Sequence, residues 1–356
     1  MGAYGELTMR VQRAQGDGKS ITESILMKKN RFAFVGFRHP HIFELLAGVQ
    51  EHRYAEVVAC CEEDAVMRRE LETGGEVRVT HDDFATMLRD VPCDVVAVGD
   101  CYGKRGRLVM AALEAGKHVL GDKPLCTSLA EQSVIERLAS EQGLLVGLQL
   151  DCRGYGAFRS LRELVRGGRI GEVCTVQVGG QHPLSLGTRA AWYFEKGMHG
   201  GTLNDIGIHA LDFIPWITGW EWAGVPVARC WNAKASKYPH FLDCAQMMGR
   251  LTNGAGVLAD FSYLAPERLG YSTPFYWRIL VHGTRGQAQT HLLSSQIEYI
   301  TDESSEPQVL DVLPNTPRAY LEDFLSELMG NRADLSSADA LRASRMALET
   351  QARSMG

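Results

Sequence analysis

The sequence predicts an α/β chain in two parts: a doubly wound parallel sheet, then an α+β half with a mostly antiparallel open sheet. Three observations predict it. From Arg31 to about Leu150, short continuous apolar runs alternate with helical stretches, the pattern of strands covered on both faces by crossover helices. Beyond Leu150 this alternation stops, and apolar runs of strand length follow one another. Asn253-Gly254 between two of those runs is a strong hairpin-turn signal.

In the first half, strands are expected at Arg31–Gly36, Ala55–Cys61, Asp94–Val98, Lys117–Leu120 and Leu144–Val146. Helices are expected over Pro40–Gln50, Asp64–Thr73, Phe84–Arg89, Arg105–Ala115 and Ser128–Glu141. The second half opens with a helix, Gly156–Arg166, stopped by Gly167-Gly168, and a strand near Glu172–Gly179. An irregular aromatic-rich stretch runs to Gly201, and a helix covers Leu203–Ile217. Strands follow at Ala228–Ala235, Cys244–Leu251, Gly256–Tyr263, Tyr276–His282 and Ala288–Leu293, and helices Pro317–Met329 and Ala338–Ser354 close the chain.

Composition excludes several classes. The 356 residues are 45 % hydrophobic with a net charge of −6, which gives no pull toward nucleic acid or an anionic membrane. No apolar run approaches the ~18–20 residues that span a bilayer. Nine cysteines occur without a C-x-x-C pair, which fits reduced thiols in the cytoplasm rather than a disulfide framework. The first 26 residues are polar and lack the apolar core of a secretory signal; residues 1–29 read as a flexible N-terminal extension.

The first strand leads into Gly36-Phe37-Arg38-His39-Pro40-His41, which keeps the first glycine of a G-x-G-x-x-G turn and places Arg38 and His41 at the other two. A helix N-terminus there favours an anion, and Arg38 adds charge for a pyrophosphate; an ordinary strand-to-helix turn is the competing reading. Glu62 ends the second strand, where an acid can bind ribose hydroxyls. The run Glu62-Glu63-Asp64 would repel a 2′-phosphate, favouring NAD over NADP, unless it is only a solvated acidic loop.

Lys123, beside Pro124, lies just past a strand end, where ligands bind in open parallel sheets. Asp205 and His209 are i and i+4, so on a helix they share a face, and the carboxylate can orient the imidazole as a general base. His182, His199, Asp205 and His209 offer metal-ligand types, but without a close H-x-x-x-H pair no metal is expected. Trp192 and Tyr193 could stack on a sugar or simply pack a long loop.

These motifs resemble the Gfo/Idh/MocA family of glucose–fructose oxidoreductase and inositol dehydrogenase. Ala112–Pro124 matches A-L-x-A-G-K-H-V-x-x-E-K-P with Asp122 for Glu, and His199–Asp212 matches G-G-G-x-x-x-D-x-G-x-H-x-x-D with His199 for the first Gly. Asp94-Val95-Val96, Arg166–Val173 and His282–Gly286 extend the likeness over roughly residues 30–355. It departs at positions 38 and 41, at Asp100-Cys101 in place of Thr-Pro, and at Arg105 in place of a histidine.

The resemblance implies an NAD(P)-binding Rossmann domain over 30–150 and a substrate-binding, oligomerising domain over 151–356. It places Lys123, Asp205 and His209 at the reacting carbon. Cofactor contacts are expected from Gly36, Phe37, Arg38, His41, Glu62, Asp100, Cys101, Arg105, Asp122, Lys123 and Pro124. Arg153, Trp192 and Tyr193 join the catalytic three on the substrate side. The activity expected is hydride transfer between NAD and a secondary alcohol of a sugar, cyclitol or related polyol, in a cytoplasmic homodimer or homotetramer without nucleic-acid or membrane partners. The alternatives are an NAD-dependent glycosidase using transient oxidation and a non-catalytic ligand-binding protein.

Overall fold

The computed structural model describes residues 29–273 and 275–354, so the expected N-terminal extension lies outside the described residues except for Lys29. The first half alternates as its apolar runs require. Strands β1 (Asn30–Val35), β2 (Ala55–Cys61), β3 (Val95–Val98), β4 (His118–Gly121) and β5 (Val146–Leu148) form a parallel sheet in the order β2-β1-β3-β4-β5. Helices α1 (His41–Glu51), α2 (Ala65–Gly74), α3 (Phe84–Asp90), α4 (Tyr102–Glu114) and α5 (Leu129–Gln142) link the strands. The order reverses between β1 and β3, and such switch points open the ligand crevice at the carboxyl ends of the strands. Every residue of β3 is fully buried, as a central strand of a doubly covered sheet must be.

After α6 (Gly156–Arg166) comes β6 (Val173–Pro183), which extends four residues into the stretch expected to be irregular. Helix α7 (Ile208–Thr218) starts five residues later than expected, because Leu203–Gly207 forms a π-helical turn ahead of it. Pro215 lies inside α7 and cannot donate to the Leu211 carbonyl; the Trp222 indole N–H takes that acceptor at 2.9 Å. The remaining strands are β7 (Trp222–Trp231), β8 (Cys244–Leu251), β9 (Gly256–Ala265), β10 (Arg278–Gly283), β11 (Gly286–His291), β12 (Gln296–Thr301) and β13 (Gln308–Asp311). The last two were not anticipated. The eight strands run β13-β12-β11-β10-β6-β9-β8-β7, antiparallel except for the parallel pair β6–β9.

Helices α8 (Ala319–Leu328) and α9 (Ser337–Arg353) return to the first half and fix the two sheets together. At the start of α9 the Ser337 hydroxyl accepts from Val146 N–H of β5 at 2.7 Å. Near its end, Gln351 Oε1 accepts from Leu203 N–H of the π turn at 2.9 Å. Gly201 makes that approach feasible: it has φ +97°, and a Cβ there would lie 2.2 Å from the Gln351 side chain. Among the described residues, no helix is long and apolar enough to cross a membrane.

Candidate active site

Lys123 follows β4, and Asp205 sits in the π turn before α7. Both are about 2 % exposed, and Lys123 Nζ donates to Asp205 Oδ1 at 2.7 Å and to the Asp205 carbonyl at 3.0 Å. The other carboxylate oxygen accepts from the Tyr263 hydroxyl of β9. Tyr263 in turn lies 2.7 Å from His199 Nε2, while His199 Nδ1 accepts from Gly201 N–H at 3.2 Å. That acceptor role leaves the ring proton on Nε2, so the chain of donors runs from Gly201 through His199 and Tyr263 into Asp205. Burial alone would raise the Asp205 carboxyl; Lys123 and His199 hold it well below the usual carboxylate range.

Sequence spacing paired Asp205 with His209, and the structure corrects this. Asp205 is engaged by Lys123, Tyr263 and His199. The His209 Nδ1 instead faces Cys152 Sγ at 3.6 Å and Asp151 Oδ1 at 3.8 Å, and Trp277 packs edge-on against its ring. A buried ammonium outcompetes a neutral imidazole for a carboxylate, because a charge-assisted bond is the stronger one. Burial, with Lys123 close by, pushes the His209 imidazolium pKa well below its ordinary value, so the ring is neutral near pH 7.

The turn after β1 shows why only its first glycine is needed. Gly36 has φ +77°, and a Cβ there would lie 2.5 Å from the Asp100 Cβ in the facing turn after β3. The Arg38 side chain donates to Asp100 Oδ1 at 2.5 Å and Asp64 Oδ2 at 3.3 Å, tying the turn after β1 to those after β3 and β2. Asp100 Oδ1 also accepts from Cys101 N–H at 2.7 Å. Phe37 is buried beneath the turn.

Other expected contact residues have inward roles. Glu62 is 1 % exposed and accepts from Phe37 N–H at 2.7 Å and Asp64 N–H at 2.8 Å, so it braces the turn rather than presenting oxygens to a ribose. Arg105 is fully buried; it donates to the carbonyls of Gly99, Asp100, Asp122 and Pro124 and to the Asp122 carboxylate, tying the β3 and β4 ends together. Asp122 is also fully buried, shared among Arg105, His39 Nδ1 and His41 Nδ1, the last at 3.1 Å. Pro124 is joined to Lys123 by a cis peptide. Arg153 donates to Asp212 Oδ1 and Oδ2 at 2.5 and 3.0 Å.

Trp192 and Tyr193 lie over the turn. The Trp192 indole donates to the Arg38 carbonyl at 3.3 Å, and the Tyr193 hydroxyl meets Tyr102 Oη at 2.7 Å and His39 Nε2 at 2.9 Å. Tyr102, Tyr263 and Cys152 were not singled out in the sequence. Tyr102 and Cys152 do adjoin residues that were, but Tyr263 carries no local signal.

An α/β crevice with a glycine turn at its switch point, next to a buried lysine–aspartate pair and a neutral histidine, defines a dinucleotide-fold oxidoreductase class. The chain belongs to the Gfo/Idh/MocA family: residues 30–150 match the family's oxidoreductase NAD-binding Rossmann fold, and residues 158–289 match its C-terminal domain. It is 27 % identical over 188 residues to scyllo-inositol 2-dehydrogenase (NADP(+)) IolW of Bacillus subtilis (strain 168), covering 52 % of each chain. It is 29 % identical over 133 residues to 1,5-anhydro-D-fructose reductase of Ensifer adhaerens, covering 37 % of this chain and 39 % of that one. The chain thus aligns with about half the length, or less, of these curated relatives. An inositol dehydrogenase homolog from Azotobacter vinelandii, solved with NAD+, superposes with TM-score 0.74 at 18 % identity over 93 % of this chain and 96 % of that one. Levoglucosan dehydrogenase, solved with NADH and L-sorbose, does so with TM-score 0.75 at 18 % identity over 92 % and 98 %. At such identities the likeness establishes the fold.

Proposed function

We propose that this protein is an NAD-dependent oxidoreductase acting on a secondary alcohol of a sugar, cyclitol or related polyol. The observation that carries the reading is the Lys123 ammonium, held by Asp205 at the carboxyl edge of the parallel sheet, beside a neutral His209. The names of the relatives support a polyol-like substrate.

The groups at the turn after β1 that fit a dinucleotide's phosphates are the α1 N-terminus, which has no side-chain cap, and the neighbouring Arg38 guanidinium. NAD, when bound, supplies the carbon that receives the hydride. Lys123 then hydrogen-bonds the substrate oxygen and stabilises its developing negative charge, with Asp205 fixing the ammonium in place. His209, neutral at working pH, takes the hydroxyl proton on a ring nitrogen. Lys123, Asp205 and His209 are each under 5 % exposed, so the reaction is kept away from bulk water. We place the boundary between a cofactor domain and a substrate domain at 150/151, and infer a reducing, cytoplasmic setting from nine free cysteines.

The test is NADH formation across a panel of cyclitols, sugars and anhydrosugars, with NADP run alongside. His209→Ala is expected to lower turnover on the order of 10²–10⁴-fold while nucleotide affinity changes little. Equal turnover in the variant would remove His209 from the chemistry, and failure to bind either nucleotide would sink the redox reading.

We also infer a homodimer or homotetramer through the open face of the eight-stranded sheet. Val227, Met248 and Leu258 are cross-strand neighbours, 56 %, 49 % and 52 % exposed, and with Phe275 they line a shallow cavity of about 730 Å³. Met248→Glu combined with Leu258→Glu should convert the assembly to monomer in light-scattering chromatography. A wild-type monomer at micromolar concentration would refute the interface.

A further inference from the structure

We propose that Asp151, Cys152 and His209 form a binding site for a zinc-class divalent cation, with the fourth coordination position open. Asp151 and Cys152 lie in the one-turn 3-10 helix Asp151–Gly154 that follows β5, and His209 is in the first turn of α7. Their donor atoms, Oδ1, Sγ and Nδ1, all lie within 4.8 Å of one another. A tetrahedral zinc with Zn–S near 2.3 Å and Zn–N near 2.0–2.1 Å requires a sulfur–nitrogen edge of about 3.6 Å and a nitrogen–oxygen edge of about 3.3 Å. The observed Cys152 Sγ to His209 Nδ1 distance is 3.6 Å, and Asp151 Oδ1 stands 3.8 Å from that nitrogen. The Asp151 side chain is half exposed, so a small rotation closes the remaining gap.

The scaffold holds the donors in place. Arg153, next to Cys152, is locked in a two-bond fork on Asp212, which follows His209 by three residues on α7. The same fork therefore fixes both sides of the site, the role outer groups play around metals. A thiolate and a carboxylate supply two negative charges to a dication, and the thiolate–imidazole pair selects a borderline-soft metal over magnesium or calcium. On binding, the Cys152 S–H bond breaks, its proton leaves to solvent and the sulfur lone pair goes to the metal. The nearby Lys123 charge is already balanced by Asp205. Asp151 also lines a cavity of about 260 Å³ with Glu44, Tyr155 and Tyr320, which gives an approach from solvent. The other clustered donors, His39, His41 and Asp122, are a poorer site because the Arg105 guanidinium already bonds Asp122.

The consequence rests on the proposed function. With its Nδ1 lone pair on a metal, a neutral imidazole carries its proton on Nε2 and cannot accept another. Bound zinc therefore silences His209 as a base.

Titrating chelator-stripped full-length protein with Co²⁺ tests the site itself. One equivalent should give tetrahedral visible absorption and a thiolate-to-cobalt charge-transfer band. Cys152→Ser should abolish that band, and Asp151→Asn should weaken binding at least about tenfold. Circular dichroism establishes that each variant folds, and Cys174→Ser, the exposed thiol, should leave the band intact. No stoichiometric binding, or a charge-transfer band unchanged in Cys152→Ser, overturns the proposal, whether or not a substrate has been found. Where turnover is measurable, zinc should inhibit wild type and lose potency at least about tenfold against Cys152→Ser. Full turnover at saturating metal overturns the coordination of Nδ1.

Discussion

At the scale of single residues, the chemistry depends on which buried groups carry charge. His39 is held neutral mainly by burial, against the pull of Asp122, and its pKa falls to about 4; burial takes His182 to about 3. An unfolded histidine titrates near 6.5, so between pH 6.5 and about 4 the unfolded chain binds protons that the folded chain refuses. Acid therefore favours unfolding in that window. His41 acts in the opposite sense, because its pKa is raised, burial notwithstanding, by Asp122. Lowering the pH from 7.5 to 5 should cost roughly 2 kcal/mol per buried neutral histidine, less the His41 offset. Urea denaturation at the two pH values measures it, and a flat stability profile would show that these rings are not held neutral. Asp205, held well below the usual carboxylate range by Lys123 and His199 against the effect of burial, stays ionised through the same window.

At the scale of elements, the fork between Arg153 and Asp212 joins the turn after β5 to α7. Arg153→Ala leaves a buried carboxylate without its partner and should destabilise by about 3–5 kcal/mol; Arg153→Met with Asp212→Leu should recover most of that, because the desolvation cost leaves with both charges. Denaturant midpoints of the two variants decide between a charge effect and a packing effect. The same scale shows what the sequence could reveal. Strands β1–β5 were legible because each is a short, continuously apolar run between helices. β12 and β13 were not: β12 buries only Ile297, and all four residues of β13 are exposed, so neither carries a pattern to read. Lys123, Asp205 and His209 were legible as motifs, but spacing says only that two residues share a face. It could not say that Tyr263, 58 residues beyond Asp205, would take one carboxylate oxygen while Lys123 took the other. Nor could the resemblance that suggested Arg153 and Arg105, or the strand-end position that suggested Glu62, reveal the protein groups each one bonds: Asp212 for Arg153, the Asp122 carboxylate for Arg105, and the Phe37 and Asp64 amides for Glu62.

At the scale of the whole molecule, α8 and α9 make one body of two sheets, and the seam of the larger sheet governs how that body forms. Strands β7–β9 and β10–β13 are antiparallel ribbons of neighbours in sequence, whereas β6 lies between β9 and β10 and pairs in parallel with β9, Thr175 against Gly256. Closing about eighty residues before the first seam contact costs more entropy than closing a hairpin. The two ribbons should therefore form first and β6 should dock late. Pulse-labelling hydrogen exchange should protect β8 and β11 amides before those of β6, and simultaneous protection would contradict this order. Val176, fully buried in β6, is then a position absent from the folding transition state. Its truncation to alanine should hasten unfolding and barely slow folding, so the seam sets the lifetime of the native protein rather than the speed of its assembly.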